Sequence, residues 1–140
     1  MEFTVSIDIH ASAEKIWSEL IDVERWPEWT PSMLQIDRLD DHQFGKSSQA
    51  RVKQPKLMPM IWTVTDFDPG RSFTWTAEGR GITSIGEHRL SPSDGQTVTV
   101  TLAIHQTGPL APIVALFTSG ITRRYLSMEA HGLKQRCETK

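Results

Sequence analysis

The stretch TVTVTLAIHQTGPLAPIVALFTSG, residues 97–120, changes its period halfway along. Val98, Val100, Leu102 and Ile104 alternate with Thr97, Thr99, Thr101, Ala103 and His105, the twofold repeat of a strand with one buried and one wet face. Past Gly108-Pro109, with prolines tolerable in a first helical turn, the repeat turns helical. Leu110, Val114, Phe117, Ile121, Tyr125 or Leu126, Met128 and Leu133 then form an apolar stripe. The spacing predicts one helix from about 110 to 136, roughly 40 Å long at about 1.5 Å per residue. Lys134 and Arg136 suit the negative end of its dipole. Gly120 and Gly132 interrupt it at about 1 kcal/mol each relative to alanine, so each is expected to mark a bend or a close backbone contact.

Working outward, Phe3, Val5, Ile7 and Ile9 alternate with polar residues and predict an opening strand. Ser12 precedes AEKIWSELIDVERW and reads as the N-cap of a short helix, the first of a pair, ended at Trp26-Pro27 because the proline pushes Trp26 out of the α region. Turn chemistry at DDHQFG, QPKLMP, DPGR, EGRG and SPSDGQ separates strands expected at 33–39, 47–53, 61–67, 71–78, 82–91 and 96–106. Turns this short favour an antiparallel meander. The order defines an α+β, two-layer architecture: a curved antiparallel sheet of six to seven strands around one long C-terminal helix, with two short helices after the first strand. Residues 1–140 are read as one domain, and a helix covers only a line on a curved sheet, so a pocket is expected between them.

Composition narrows the partners. With 15 basic and 17 acidic residues among 140, the formal net charge of -2 gives no field that would attract nucleic acid or an anionic membrane surface. The one cysteine, Cys137, cannot form an internal disulfide or a thiolate metal site. No apolar run reaches the roughly 20 residues of a membrane span. The N-terminus MEFTVSIDIH lacks a basic-then-apolar signal region, so a cytoplasmic location is expected. Oligomeric state, monomer or homodimer, is left open.

Five histidines are present, at 10, 42, 88, 105 and 131, and none shares metal-ligand spacing with another, so neither a metal nor a cofactor is expected. In GITSIGEHRL, residues 81–90, Ile82, Ser84, Gly86, His88 and Leu90 share one strand face, inward by its apolar members. His88 there is either a buried histidine bonded to backbone or water, or a polar group that orients a ligand or acts as base. Trp62, Phe73 and Trp75 lie on central strands, Phe117, Ile121 and Tyr125 on the long helix, and Met58 and Met60 near the prolines before Trp62. Methionines in such a loop suit an adaptable lid over an apolar pocket, and these nine residues are the expected ligand contacts. There is no GxSxG elbow and no phosphate-binding glycine loop, and Arg123-Arg124 diverge on a helix as a surface pair.

Three blocks, IDVERWPEWTP at 21–31, PKLMPMIWTVTDFDPGRSFTW at 55–75 and TRRYLSMEAHGLKQRCE at 122–138, resemble in order and spacing the polyketide cyclase/dehydrase branch of the START-like, helix-grip superfamily, which includes the birch-pollen allergen fold. The resemblance covers nearly the whole chain and implies a cavity for a hydrophobic or amphipathic small molecule, lipid-, polyketide- or aromatic-like. It leaves two other readings open: a cofactor-independent cyclase or dehydratase, with His88 and Tyr125 or Arg124 as base and donor, and a protein-interaction module whose cavity is vestigial. It supplies no catalytic residue. ERWPEWTP, residues 24–31, is then foremost a corner in which Trp26 and Trp29 plug a joint and Pro27 and Pro31 fix its angle.

Overall fold

The computed structural model describes residues 2–94 and 96–139. β1 (Glu2–Ile9) is followed by helix α1 (Ala13–Ile21) and a 3-10 turn (Val23–Glu28). Six strands come next: β2 (Gln35–Arg38), β3 (Gln49–Lys53), β4 (Met60–Asp68), β5 (Ser72–Gly79), β6 (Ile82–Asp94) and β7 (Thr97–Thr107). Helix α2 (Ala111–Glu138) closes the chain. The strands form one antiparallel seven-stranded sheet in the order β1-β7-β6-β5-β4-β3-β2. β2 to β7 are therefore the expected meander, and β1 pairs along the free side of β7, Val5 opposite Leu102 and Ile9 opposite Val98.

Local chemistry explains the elements. The Ser12 hydroxyl accepts from the Lys15 amide at 3.1 Å and caps α1. That helix ends at Ile21, five residues before the expected stop, and Trp26-Pro27 instead lies inside the 3-10 turn, whose tighter bonding tolerates the proline. Between β4 and β5, Gly70 takes φ +79° in the turn that DPGR predicts. A register shift between Val64 and Asp66 places an extra residue in β4, the irregularity by which a strand bends. β6 runs past the expected end at 91, through Pro92, where the register shifts again.

The core lies on the concave face, with Ile9, Ile16, Leu20, Trp26, Phe73, Val100 and Leu133 almost completely buried. Trp26 donates its indole N–H to the Leu20 carbonyl at 3.0 Å, so its large apolar ring is buried without an orphaned donor. It packs against Trp29 with centroids 5.6 Å apart, and Trp29 is only half-buried: Trp26 is the plug of the corner and Trp29 its cover. Arg136 ties the end of α2 to this corner, its guanidinium 2.7 Å from Glu19 on α1 and 2.9 Å from Glu28.

The expected stripe of α2 holds only in its second half. Tyr125, Leu126 and Leu133 are buried together with Ala111, Ala115, Ala130 and Cys137. In the first half, however, Leu110, Ile113, Leu116 and Phe117 face solvent, Leu116 at 78% and Phe117 at 77% exposure. At about 100° per residue, a one-position rotation of the helix separates the two faces. Its sheet side carries Val114, Thr118, Thr122 and Leu126 at fourfold spacing, rather than Phe117 and Ile121. The two expected interruptions also differ: Gly132 is a close backbone contact with Trp29, whereas nothing stands near Gly120.

Candidate functional site

Because α2 presents threonines where the sequence suggested a phenylalanine and an isoleucine, the space beneath its first half is not filled. A cavity of about 220 Å³ remains between helix and sheet. The Thr118 hydroxyl donates back to the Val114 carbonyl at 2.8 Å, so it faces an apolar space with its hydrogen bond made.

The sheet side is built from inward positions of four neighbouring strands, Trp62 on β4, Trp75 on β5, Ser84, Gly86 and His88 on β6, and Ile104 on β7, with Ala103 of β7 also bordering the space. Trp75 pairs in register with Gly86. A Cβ at Gly86 would approach the Trp75 indole to 3.2 Å, so the glycine lets that ring lie flat across the strand and form the cavity floor. The Trp62 and Trp75 centroids are 5.6 Å apart.

One end is covered by the loop between β3 and β4, with Gln54, Leu57 and Met58 on the cavity rim and Met60 just beyond. Two side-chain bonds hold this loop, beside its own turn from the Leu57 amide to the Gln54 carbonyl: Lys53 Nζ donates to the Leu57 carbonyl, and the Tyr125 hydroxyl donates to the Pro55 carbonyl, tying loop to helix. Met58 is 83% exposed, an apolar side chain at the mouth.

His88 is 6% exposed and lies flat on Phe73, centroids 4.2 Å apart and planes 9° from parallel. Trp26 stands behind it at 5.5 Å. Its Nδ1 is 3.2 Å from the Phe73 carbonyl, which can only accept, so Nδ1 carries the hydrogen and Nε2 is left as an acceptor. Burial lowers its pKa to about 4, against which the Phe73 bond acts only in part, and the imidazole is neutral near pH 7.

Glu129, three residues after Leu126 on α2, was not anticipated. It lines the cavity, and its carboxyl has no hydrogen-bond or ion-pair partner among the described residues. Desolvation pushes its pKa from 4.5 up to about 8. The signal was in the sequence: Glu129 lies four residues after Tyr125, on the same helical face.

Of the expected contacts, Met58, Met60, Trp62, Trp75, His88 and Tyr125 are brought together around the cavity. Phe73 is not on its surface but behind it, fully buried as the support of His88. Phe117 points to solvent, and Ile121 lies off the lining face. The hydroxyl of Tyr125 is already committed to Pro55. Arg123 and Arg124 are both exposed, the former over the Phe3 ring at 5.1 Å. A metal-binding group of three or more His, Cys, Asp or Glu is absent among the described residues. On the outer face of the sheet, His105 sits between Glu2 at 3.0 Å and Glu87 at 2.7 Å, a cross-strand cluster that adjacency in sequence concealed. A second, more open concavity of about 740 Å³ borders Trp29, Gly132 and Arg136, but Arg136 is already paired with Glu19 and Glu28, and the Lys15 ammonium donates to the Thr139 carbonyl at 3.2 Å.

A long helix gripped by a curved antiparallel sheet, with an apolar cavity between them, defines the START-like, helix-grip class. The chain belongs to the polyketide cyclase/dehydrase and lipid transport family, which it matches over residues 1–138. None of the curated proteins compared matches the sequence. Among solved structures, an aromatase/cyclase from a Streptomyces species superposes with a TM-score of 0.80 at 15% identity, covering 99% of this chain and 93% of that one. A START superfamily protein from Mycobacterium smegmatis gives 0.75 at 19% identity, covering 98% and 97%. Norcoclaurine synthase from Thalictrum flavum gives 0.75 at 11% identity, covering 96% and 84%. At these identities the likeness is one of fold. No helix among the described residues is long and apolar enough to cross a membrane.

Proposed function

We propose that the chain binds a small hydrophobic or amphipathic molecule in the cavity between the sheet and α2. The observation that carries this reading is the cavity itself, kept open by Thr118 and Thr122 on the helix and by Gly86 on the floor, and walled by Trp62, Trp75, Met60 and Val114. Its size favours one class of ligand. At about 220 Å³ it lies below the roughly 300–1,000 Å³ of drug-sized sites. A molecule of one or two rings fits this space better than a long-chain lipid. Affinity would come from apolar burial at about 25 cal/mol per Å².

Native mass spectrometry of freshly purified protein, with thermal shifts over a panel of small aromatics, tests the reading. Adducts or stabilisation that Ser84→Leu removes, by filling the cavity from β6, are the expected result. Binding untouched by Ser84→Leu would place the ligand elsewhere.

A second reading, cofactor-independent cyclisation or dehydration of a polyketide-like substrate in the same cavity, draws on the family description and on two titratable groups, His88 and Glu129, bordering one apolar space. His88 with a pKa near 4 is a weak base, and ionised Glu129 is the stronger one. Turnover of a poly-β-keto substrate that survives both His88→Ala and Glu129→Gln would remove these groups from any mechanism.

A further inference from the structure

We propose that the molecule taken up by this cavity carries a basic nitrogen, and that the Glu129 carboxyl receives it. The inference rests on the reading of the cavity as a small-molecule site and names the ligand's polar group. The lining holds no lysine or arginine, so nothing in it would compensate a carboxylate or phosphate on a ligand.

The other titratable groups bordering the cavity are committed. Glu87 borders the lining, but its carboxylate lies on the outer face of the sheet, 2.7 Å from His105 Nε2. His88 is bonded through Nδ1 to Phe73, and Tyr125 through its hydroxyl to Pro55. Among the lining residues of β7 and of the β3–β4 loop none is titratable. Glu129 alone among the lining residues is a titratable group without a partner, and the sheet side of the cavity carries the indoles of Trp62 and Trp75, whose ring faces attract cations.

A desolvated carboxylate is unfavourable alone and favourable beside a cation. In the empty cavity Glu129 therefore keeps its proton to about pH 8. When an ammonium ion enters, the carboxyl ionises and its proton passes to solvent, leaving an ion pair between the nitrogen and the carboxylate oxygens. Near pH 7 this releases about nine-tenths of a proton per ligand bound, and near pH 9 about one-tenth. A neutral ligand of the same shape releases none.

The test is calorimetry of the full chain with three probes of one shape and different charge: tryptamine, tryptophol and indole-propionate, each in two buffers of different ionisation enthalpy. Tryptamine should bind at least about tenfold more tightly than tryptophol, and indole-propionate most weakly. Proton release should accompany tryptamine near pH 7 and fade near pH 9. Glu129→Gln should abolish the preference and the proton release while tryptophol still binds. Tryptophol binding as tightly as tryptamine to the wild-type protein, or proton release that persists in Glu129→Gln, overturns the inference and leaves the cavity as a neutral-ligand site. Should the variant not fold, the wild-type order of affinities and its pH dependence decide alone. Failure of all three probes to bind would overturn the cavity reading and this inference together.

Discussion

Gly132 of α2 lies against the backbone of Trp29: a Cβ there would sit 2.0 Å from the Trp29 carbonyl oxygen. The long helix can therefore approach the ERWPEWTP corner only where it lacks a side chain. The 3-10 turn, the Trp26 plug and the Arg136 pairs converge on this contact. Gly132→Ala should thus destabilise by about 1–3 kcal/mol through forced separation, although alanine favours a helix by about 1 kcal/mol. Gly120→Ala, in open space, should stabilise by about 0.5–1 kcal/mol. Urea midpoints of the two variants should move in opposite directions, and equal shifts would remove the contact from the account.

The two tryptophans of the corner should separate in the same assay. Trp26→Ala empties a fully buried site and orphans the Leu20 carbonyl it bonds, for a loss of about 3–5 kcal/mol. Trp29→Ala, at a half-buried position, should lose less than half of that. Equal losses would show that the cover matters as much as the plug. Trp26 also stands 5.5 Å from His88, so ligand affinity should fall in Trp26→Phe even where the fold survives.

Two cavity groups should shape the pH dependence of stability in opposite directions. Folded Glu129 keeps its proton to about pH 8, whereas the unfolded chain loses it near 4.5, so stability contributed by this group falls as pH rises between those values. Folded His88 stays neutral down to about pH 4 while the unfolded residue protonates near 6.5, so its contribution falls as pH drops across that range. The wild-type protein should lose stability between about pH 6.5 and pH 8, by a few kcal/mol at most. Glu129→Gln should lack this loss, and denaturation curves that decline equally in both proteins would show that Glu129 is not desolvated.

The Tyr125 bond to Pro55 should act as a latch on the β3–β4 loop. Tyr125→Phe keeps the ring in the cavity wall and removes the donor. Amide exchange over residues 54–58 should quicken, with a global loss of only about 0.5–1.5 kcal/mol. Unchanged exchange would mean that Lys53 and the loop's own packing hold it closed.

Cys137 is buried on α2 and desolvation raises its thiol to about 11. It should resist thiol reagents in the native protein near pH 8 and react once unfolded.

The fold was legible because its signals are periodic and redundant. The alternation of Val98 through Ile104 and the switch to helical spacing after Pro109 survive an error of one residue at either end. The cavity lining was legible on the sheet, where a strand has two faces and the parity of Trp62, Trp75 and His88 puts them on the inward one. It was less legible on α2. There hydrophobicity pointed to Phe117 and Ile121, and a rotation of one residue chose Thr118, Thr122 and Glu129 instead. A solid core would have rewarded the bulky stripe; a cavity does not, and a helix lying over empty space is read wrongly by any rule that assumes close packing. Glu129 was missed for the same reason, since a carboxylate on an apolar face has value only if something other than protein occupies that face.

The most direct test is a crystal structure of the protein with tryptamine bound. Density for the indole between Trp62 and Trp75 on one side and Thr118 and Thr122 on the other, with the nitrogen at the Glu129 carboxyl, is the predicted result. A cavity collapsed onto its own side chains, with the amine on the outer surface or absent, would contradict it.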